Sequence, residues 1–574
     1  MTLLLSQSTL STTTTSWTHS SSWTDTVHNW TTTAGDTIAE ALRFVGNLYS
    51  GLPLWAIPMF WLALTMIVLS LVFLLVLVAK AQSQYRKARK LVRQDHDPAE
   101  TEAEYLWVFM VPALNEAVTI ADSVDRLSKV EVTHSRILVI NDGSDDRTGE
   151  ILENLSARID RLTVLTRVHP NARQGKSEAL NDAWRFLHNQ VLTHGTYAGW
   201  DPNKVIVAIV DADGRLDPTA GRVARHFTDE RVGGVQSQVR IYNRESLLTL
   251  AQDVEFGVFG SVFQLGRTGW GTANMGGNGQ FNRLSALDSV AVEDNHGRIG
   301  PWRAGRLTED QDIGLRLIHN GWKGEQSTEV AINQQGLNSL RALMRQRTRW
   351  SQGTWQVFDL IRPSLKNPHI SLRAKTDQFW YLLTPLIQAW LGFVLVLSLV
   401  FLALGVVEPH WSWILIIVLY MFAAMPSIIG VLFTHRRRGF KGFLVNIGFA
   451  HLYLVYSWMI YPVVYRALFR QLTGARSWAK TAREQIKSNE SEAEVNSAGV
   501  DGIEVAAGAG RAAGTASARL AIESLSREDI EAQAMVDQAL AAQGLSTGNT
   551  PEVAQTIISA EPRRGGAHAA PDRE

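Results

Sequence analysis

The sequence predicts an α/β domain, built as a mostly parallel sheet with helices on both faces and flanked by transmembrane helices. Between residues 105 and 350, short runs rich in Val and Ile alternate with polar, helix-like stretches. Apolar strands that alternate with helices are typical of a parallel sheet covered on both faces. Long apolar stretches precede and follow this region. The three clearest strand runs are residues 106–111, 137–140 and 205–210.

Composition excludes several classes of function. Lys and Arg together number 55, as do Asp and Glu, so the formal charge is zero and nothing global indicates a nucleic-acid partner. The chain has no cysteine, which excludes disulfides, thiolate metal sites and a cysteine nucleophile. Carboxylates and histidines remain as the candidate metal ligands.

The amino-terminal part predicts a flexible leader followed by a membrane anchor. Residues 1–52 are rich in Ser, Thr and Trp, and the transmembrane helix is expected at 53–80. Residues 55–78 carry no formal charge, and as a helix they would span about 36 Å, enough for a ~30 Å hydrocarbon core. Six basic residues follow before the first acid at Asp95, which predicts a cytoplasmic location for the domain expected at 100–360.

The carboxyl-terminal part predicts about three further spans within residues 361–470. The apolar stretches are 379–407, 411–433 and 443–465, with a short external turn at 408–410. Basic residues at 435–438 and again after 465 both favour the cytoplasm, which simple alternation of spans does not allow, so one stretch is re-entrant or interfacial. Residues 485–574 are expected to be a mostly disordered, low-complexity tail, and its side of the membrane is left open.

Polar residues follow the first two apolar runs. Asn115 and Glu116 come after the first, and Asp142 and Gly143 after the second. In parallel sheets ligands bind outside the carboxyl ends of the strands. Carboxylates and a glycine at such ends suit recognition of a base or ribose, because glycine permits close approach and aspartate accepts hydrogen bonds. A surface turn explains either segment alone.

Lys176 lies in a Gln-Gly-Lys-Ser sequence that is superficially like the end of a phosphate-binding loop. A true P-loop needs another glycine at position 170, which is Pro170, so ATPase chemistry is not indicated. A lysine at a helix start still suits a phosphate group, and a simple exposed lysine is the alternative.

Asp211 and Asp213 directly follow the run 205–210 and form the strongest local signal. Two carboxylates one residue apart at a strand end suit a divalent cation and its diphosphate ligand, since Mg²⁺ is commonly held by a few carboxylates with phosphate oxygens and water. A turn with two solvated aspartates is the alternative.

Two later segments carry further candidates. Glu309 and Asp310 open a predicted helix, where a carboxylate is either a general base or an ordinary first-turn acid. Residues 346–350, Gln-Arg-Thr-Arg-Trp, combine fixed positive charge with an aromatic ring, suited to a pyrophosphate and a sugar face. A basic flank before the membrane explains the second segment equally well.

The order Asn-Asp-Gly-Ser, Asp-Ala-Asp, Thr-Glu-Asp and Gln-x-x-Arg-Trp resembles the membrane-bound family 2 glycosyltransferases, the group of cellulose, chitin and hyaluronan synthases and some glycolipid synthases. The resemblance covers about residues 105–355 and the flanking spans. It implies a GT-A fold, a UDP-sugar donor and inversion at the anomeric carbon. The chain departs from the pattern at Asn141, where many relatives have a second aspartate.

The resemblance implies a role for each matching residue. Asp310 would be the catalytic base, and Asp211 and Asp213 would hold Mg²⁺ or Mn²⁺. The donor-binding residues would be Asn115, Glu116, Asp142, Lys176, Asp211, Arg347 and Arg349. The acceptor-binding residues would be Gln346, Trp350 and Glu309. Residues 276–281 lie where such enzymes have an acceptor-side loop.

Three functions remain open at this point. The leading one is a processive synthase that elongates a β-linked polysaccharide; the second is a transferase that adds one sugar to a lipid. A non-catalytic membrane scaffold or transporter is the third. The expected partners are a UDP-sugar, a polysaccharide or lipid acceptor and membrane lipids, with no nucleic acid; a homo-oligomer or an accessory subunit is left open. The expected location is the plasma (inner) membrane with the catalytic domain in the cytoplasm.

Overall fold

The structure is a computed structural model that describes residues 51–94, 98–294, 296–407, 413–434 and 439–474. Several expectations lie outside these residues. They concern the leader up to residue 50, the turn at 408–410, the basic segment at 435–438 and the tail from 485 onward.

Eight strands form the main sheet, in the order β3-β2-β1-β4-β7-β6-β10-β5. Neighbouring pairs are parallel except where β7 lies between β4 and β6 and where β5 pairs with β10. The carboxyl ends of β1, β2 and β4 therefore meet at one edge. The strands, with the separate hairpin β8-β9, are β1 Leu106–Ala113, β2 His134–Asn141, β3 Leu162–Thr166, β4 Val205–Ile209, β5 Arg215–Leu216, β6 Val232–Ile241, β7 Gln280–Arg283, β8 Val292–Glu293, β9 Ile299–Gly300 and β10 Lys323–Gln334.

Helices cover both faces of this sheet or extend away from it. Besides shorter 3-10 and π turns, the described helices are α1 Ile57–Gln94, α2 Pro98–Glu102, α3 Ile120–Ser128, α4 Thr148–Ser156, α5 Lys176–Phe186, α6 Leu247–Val258, α7 Leu265–Thr268, α8 Leu284–Ser289, α9 Glu309–His319, α10 Leu340–Gln356, α11 Ile361–Lys366, α12 Leu372–Ala403, α13 Trp413–Thr434, α14 Gly439–Ser457 and α15 Ile460–Leu472.

The central strands are apolar along their whole length because both of their faces are buried. Successive side chains point to opposite faces of a strand, so Trp107 and Phe109 of β1 pack into one core cluster with α3. Leu106 and Val108 pack into a second cluster on the other face, with α5 and α9. The predicted α/β architecture, a mostly parallel sheet covered on both faces, is confirmed.

Among the described residues, three helical stretches are long and apolar enough to cross a membrane, and a shorter apolar stretch lies within α13. The three are Ile57–Lys90, Leu372–Ala403 and Gly439–Leu472, and the shorter one is Ala423–Leu432. The last of the three contains both α14 and α15, which a turn at Trp458 and Met459 separates. The first turns of α12 carry the charged residues Arg373, Lys375 and Asp377, and Asp377 contacts the sheet domain.

Helix α1, which contains the first of these apolar stretches, contacts the sheet domain through a glycine. A Cβ at Gly266 in α7 would lie only 2.6 Å from the carbonyl oxygen of Leu77 in α1. Leu77 is fully buried, and the rings of Phe73 and Trp270 stack beside it with centroids 6.2 Å apart. The absence of a side chain at Gly266 thus permits the close packing of α7 against α1.

Helix α12 contacts the sheet domain through a buried ion pair. The Nε of Arg267 lies 3.1 Å from Oδ1 of Asp377, and both side chains are almost fully buried. The other carboxylate oxygen of Asp377 accepts a hydrogen bond of 2.6 Å from the hydroxyl of Thr272. Because removing one partner leaves a buried charge uncompensated, such a pair strongly favours one docked position of the helix.

Gly266→Ala is expected to lower stability by about 1–3 kcal/mol, because the added methyl group forces α1 and α7 apart. Gly448→Ala in α14 is the matched control, since nothing lies within 4 Å of a Cβ there. Thermal unfolding of the detergent-solubilised full chain, followed by tryptophan fluorescence, measures both. Equal unfolding midpoints for the two variants would contradict the packing argument.

Candidate active site

Lys176 lies between carboxylates at the carboxyl edge of the sheet. Its Nζ is 2.7 Å from Oδ1 of Asp211, which follows β4, and 3.3 Å from Oε1 of Glu309, the first residue of α9. Lys176 itself is the first residue of α5. Three segments far apart in sequence therefore meet at one ammonium group. The negative charge of Asp310 also acts on this group and helps to raise its pKa.

Burial and neighbouring charges shift the pKa values of Lys176 and Asp310. Burial disfavours the charged ammonium, but Asp211 and Glu309 outweigh it and hold the pKa of Lys176 above its ordinary value. Burial raises the pKa of Asp310 to about 7; the negative charge of Glu309 adds to this effect, and Lys176 opposes it. A carboxylate with a pKa near neutrality is able to accept a proton, as a general base must.

Asp211 and Asp213 were the predicted metal ligands. Asp213 is buried and Asp211 is half-buried. The backbone N–H of Asp211 donates to Oδ1 of Asn278 over 3.1 Å. Within the described part of the chain, no three His, Asp or Glu side chains gather as a metal-binding group. The protein can therefore supply two carboxylates here, and any further ligands would have to come from substrate oxygens or water.

Asp142 lies at the end of β2 and is buried. Its Oδ1 accepts hydrogen bonds from the guanidinium of Arg167 and, over 2.8 Å, from the backbone N–H of Arg173. The Nε of Arg167 also donates to Asp182 of α5 over 2.6 Å. Burial raises the pKa of Asp142, while the Arg173 N–H and Arg167 favour its charged form. The carboxylate is thus held in one orientation at the sheet edge.

Asn115 and Glu116 lie beside the Asn-Asp-Gly-Ser turn that the structure places after β2. The backbone N–H of Asn115 donates to the hydroxyl of Ser144 over 3.0 Å, and its side-chain oxygen accepts from the N–H of Asp145 over 3.0 Å. The N–H of Glu116 donates to the hydroxyl of Thr148 over 2.8 Å. The residues after β1 and β2 therefore form one hydrogen-bonded surface.

The loop before β7 touches the candidate base. Gly277 has a φ of +83°, and a Cβ there would lie 2.9 Å from Oδ2 of Asp310. The neighbouring Asn278 binds the backbone N–H of Asp211. This loop, predicted on the acceptor side, thus contacts both Asp310 and the segment that carries the two aspartates.

Helix α10 carries the Gln-x-x-Arg-Trp residues and contacts the loop that leads into α9. Gly353 lies so close to Thr308 that a Cβ there would collide with the threonine side chain. The N–H of Leu307 donates to Oε1 of Gln356 over 2.9 Å. The structure therefore joins the α10 segment to the start of the helix that carries Asp310.

Arg347 and its neighbours form a second group on α10. Arg347 is buried, and its guanidinium is bound by Glu255 of α6 and lies 3.4 Å from the hydroxyl of Tyr456 in α14. It also donates to Oε1 of Gln346 over 3.0 Å and lies 4.1 Å from the ring centroid of Trp350. The predicted donor residue Arg347 is thus in contact with two predicted acceptor residues.

Two residues that contact the site are not among those that the sequence predicts. Glu255 lies in a mostly apolar helix that also carries Asp253, and an acid within such a segment is itself a usable signal for a buried partner. Tyr381 of α12 accepts hydrogen bonds from Asn274 and Gln311 over 3.2 and 3.1 Å, and Gln311 follows Asp310 in sequence. Nothing in the local sequence distinguishes Tyr381 from other aromatic residues of an apolar helix.

Residues 107–353 match the model of the family described as glycosyltransferase like family 2. This matched region contains the main sheet apart from Leu106, and it contains all of the site residues that the sequence predicts. These residues, which are less than half of the chain, are thus similar to family 2 glycosyltransferases, and they fold as a mostly parallel sheet covered by helices. The match agrees with the predicted resemblance to family 2 glycosyltransferases over this region of the chain.

Similar sequences occur in a glycolipid synthase and in a polysaccharide synthase. A β-monoglucosyldiacylglycerol synthase of Trichormus variabilis is 33% identical over 284 residues, which is 48% of this chain and 54% of that protein. A poly-β-1,6-N-acetyl-D-glucosamine synthase of Staphylococcus epidermidis is 24% identical over 287 residues, or 49% of this chain and 61% of that protein. The chain therefore spans only about half the length of the relatives it matches.

Among solved structures, a mannosyltransferase from Pyrobaculum calidifontis in complex with GDP-Man and Mn²⁺ is similar to 70% of this chain and to 99% of its own length. The TM-score is 0.39 and the sequence identity 15%.

Gly277→Ala is expected to reduce the rate of sugar transfer by about 10- to 100-fold, because a methyl group at this position displaces the Asp310 carboxylate. Gly199→Ala is the matched control: its φ of +79° imposes the same backbone strain, but a Cβ there meets nothing within 4 Å. Initial rates of the two purified variants give the comparison. Equal rate losses would mean that backbone strain, not displacement of Asp310, is responsible.

Proposed function

We propose that the chain is a membrane-bound, inverting glycosyltransferase that moves a hexose from a UDP-sugar to a hydroxyl group of a membrane lipid. The observation that carries the chemistry is the cluster of Lys176, Asp211, Glu309 and Asp310 at the carboxyl edge of the sheet. The donor class follows from the ordered motifs that resemble UDP-sugar-dependent enzymes. We place the catalytic domain on the cytoplasmic face of the plasma (inner) membrane, as the basic residues after the first span favour.

Two observations favour a lipid acceptor. The relative at 33% identity is named as a synthase of a glucosylated diacylglycerol. In addition, the acceptor-side Gln346 and Trp350 lie next to Arg347, which contacts Tyr456 of an apolar, membrane-length helical stretch. An acceptor that arrives from the bilayer would reach these residues along the membrane helices.

A polysaccharide acceptor is the second candidate, and the relatives named as poly-β-1,6-N-acetyl-D-glucosamine synthases support it. The chemical step is the same for both acceptors. The two reactions differ in whether the newly glycosylated acceptor stays bound and presents a hydroxyl group for another round of transfer.

In the proposed step, Asp310 removes the proton of the acceptor hydroxyl as its oxygen attacks the anomeric carbon of the sugar. A new carbon–oxygen bond forms, and the bond from that carbon to the diphosphate breaks, with its electron pair leaving on UDP. Attack from the face opposite the leaving group inverts the configuration. Lys176 and Arg349 would offset the charge on the departing diphosphate, because cations aimed at developing charge lower the barrier.

On the donor side, we assign Asp142, Asn115 and Glu116 to the nucleoside. The carboxylate of Asp142 is held by Arg167 and the Arg173 N–H, so it meets a base without first having to be ordered. Glu309 is assigned to the acceptor side next to Asp310, where its contact with Lys176 links the acceptor and the donor halves of the site.

Asp211 and Asp213 fit a divalent cation. Mg²⁺ is usually bound through one or two carboxylates plus substrate phosphates and water, and this strand end offers that set. Asp211 already attracts a cation, the ammonium of Lys176. When bound, Mg²⁺ or Mn²⁺ would supply charge neutralisation at the diphosphate.

The product distinguishes the acceptors. Membranes containing the full chain are incubated with radiolabelled UDP-glucose or UDP-N-acetylglucosamine and dioleoylglycerol. We expect a chloroform-soluble monoglycosylated lipid. A high-molecular-weight, alkali-stable glucan or amino-sugar polymer instead would establish the second candidate, and no labelled product with either donor would contradict both.

The maximal rate is expected to depend on pH through Asp310. The base must be deprotonated to act, and its pKa is raised from an ordinary 3.8 to about 7. The rate should therefore fall as pH decreases below about 7, by about tenfold per pH unit at the acidic end, and reach a plateau above it. Rates at saturating donor between about pH 5 and 9 test this.

Asp310→Asn, which cannot accept the proton, should lose about 10²- to 10⁴-fold in rate at every pH while the protein remains folded. A wild-type rate that stays constant down to about pH 5, or an Asn variant with unchanged rate, would be incompatible with Asp310 as the base.

A further inference from the structure

The Arg347 side chain contacts four other side chains, which lie on three helices. It is bound by the carboxylate of Glu255 in α6, and it lies 3.4 Å from the hydroxyl of Tyr456 in α14. On its own helix, α10, it donates to Gln346 over 3.0 Å and covers the ring of Trp350 at 4.1 Å. One guanidinium therefore touches both acceptor-side residues of α10 and both of their neighbouring helices.

The environment of Arg347 is closed and specific. Its side chain is 7% exposed, and the hydroxyl of Tyr456 also donates to Oε2 of Glu255 over 2.7 Å. A buried charge needs such partners, because transferring it out of water is costly unless it is paired. The planar guanidinium presents its donors in a fixed fork, so the positions of Glu255 and Gln346 together define the orientation of the group over Trp350.

Glu255 is itself placed by the membrane helices. Its neighbours Val254 and Val258 in α6 are buried in an apolar cluster with Val431 of α13 and Ala450 of α14. The ring of Phe256, which follows Glu255, lies edge-on to Trp350 with centroids 6.1 Å apart. The positions of Gln346 and Trp350 therefore depend on α13 and α14, through the packing of α6 and through the contacts of Arg347.

We propose that Arg347 is a positioning residue that sets Gln346 and Trp350 relative to the membrane helices, so that a lipid hydroxyl presented from the bilayer meets Asp310. This inference rests on the proposed transfer to a lipid. It gives Arg347 a different task from the diphosphate contact that the sequence pattern implies, because its guanidinium is already bound by Glu255 and Gln346. The diphosphate contact is then left to Arg349 and Lys176.

The test separates acceptor binding from donor binding. The full chain is reconstituted in phosphatidylcholine and phosphatidylglycerol vesicles containing dioleoylglycerol, and initial rates are measured with UDP-glucose. Glu255→Gln removes the charge that binds Arg347, and Tyr456→Phe removes only the hydroxyl. Glu329→Gln is the matched control, because Glu329 pairs with Arg225 over 2.8 Å in a half-buried position outside the site.

We expect Glu255→Gln to raise the KM for dioleoylglycerol by about tenfold and Tyr456→Phe by about threefold, with the KM for UDP-glucose within about twofold of wild type in each. Glu329→Gln should leave both constants unchanged. Unfolded molecules lower the maximal rate and leave the KM of the folded molecules unchanged, so a selective rise in the lipid KM is not mistaken for loss of structure.

Two results would overturn the inference while leaving the proposed function intact. If Glu255→Gln raises the KM for UDP-glucose and not that for the lipid, Arg347 acts on the donor. If both KM values stay at wild-type levels in Glu255→Gln and Tyr456→Phe, the contacts do not position the acceptor. A wild-type protein that makes no glycolipid in these vesicles with either UDP-glucose or UDP-N-acetylglucosamine would overturn the proposed function and this inference together.

Discussion

The ammonium of Lys176 between Asp211 and Glu309 is the interaction on which the arrangement of the site depends. Asp211, Glu309 and Asp310 are three acids at one sheet edge, and like charges at such distances repel strongly in a partly buried environment. Lys176 compensates two of them directly. It thereby joins the end of β4, the start of α5 and the start of α9, next to Asp310, whose pKa is raised by burial and by the negative charge of Glu309.

Close backbone approach is the second constraint. At Gly277, Gly353 and Gly266 a side chain would meet Asp310, Thr308 and Leu77 respectively. The first two contacts bring the acceptor-side loop and α10 up to the base. The third brings α1, which is long and apolar enough to cross a membrane, up to the sheet domain. Close approach at glycines therefore shapes the site and also packs the sheet domain against a helix that is long and apolar enough to cross a membrane.

Buried polar pairs determine how the carboxyl-terminal helices meet this domain. Asp377 pairs with Arg267, and Tyr456 joins the pair of Glu255 and Arg347. Polar side chains on apolar helices are costly without partners, so each pair specifies one docked arrangement. Because one of these pairs includes a residue next to Gln346 and Trp350, the acceptor side of the domain and the apolar helices form one continuous structure. This continuity is the physical reason for favouring an acceptor that comes from the bilayer.

By itself, the sequence determined the class of the fold, the order of the motifs and the presence of long apolar stretches. These are encoded locally: β1, β4 and the middle of β2 are apolar because both of their faces are covered, and acidic residues follow each of these strands within a few positions. Only the tertiary structure decided which side chains meet. Lys176 and Glu309 are 133 residues apart in the chain, and Arg347 and Tyr456 are 109 apart. No local pattern carries such pairings, because they depend on how the sheet edge, α6 and the membrane helices pack together.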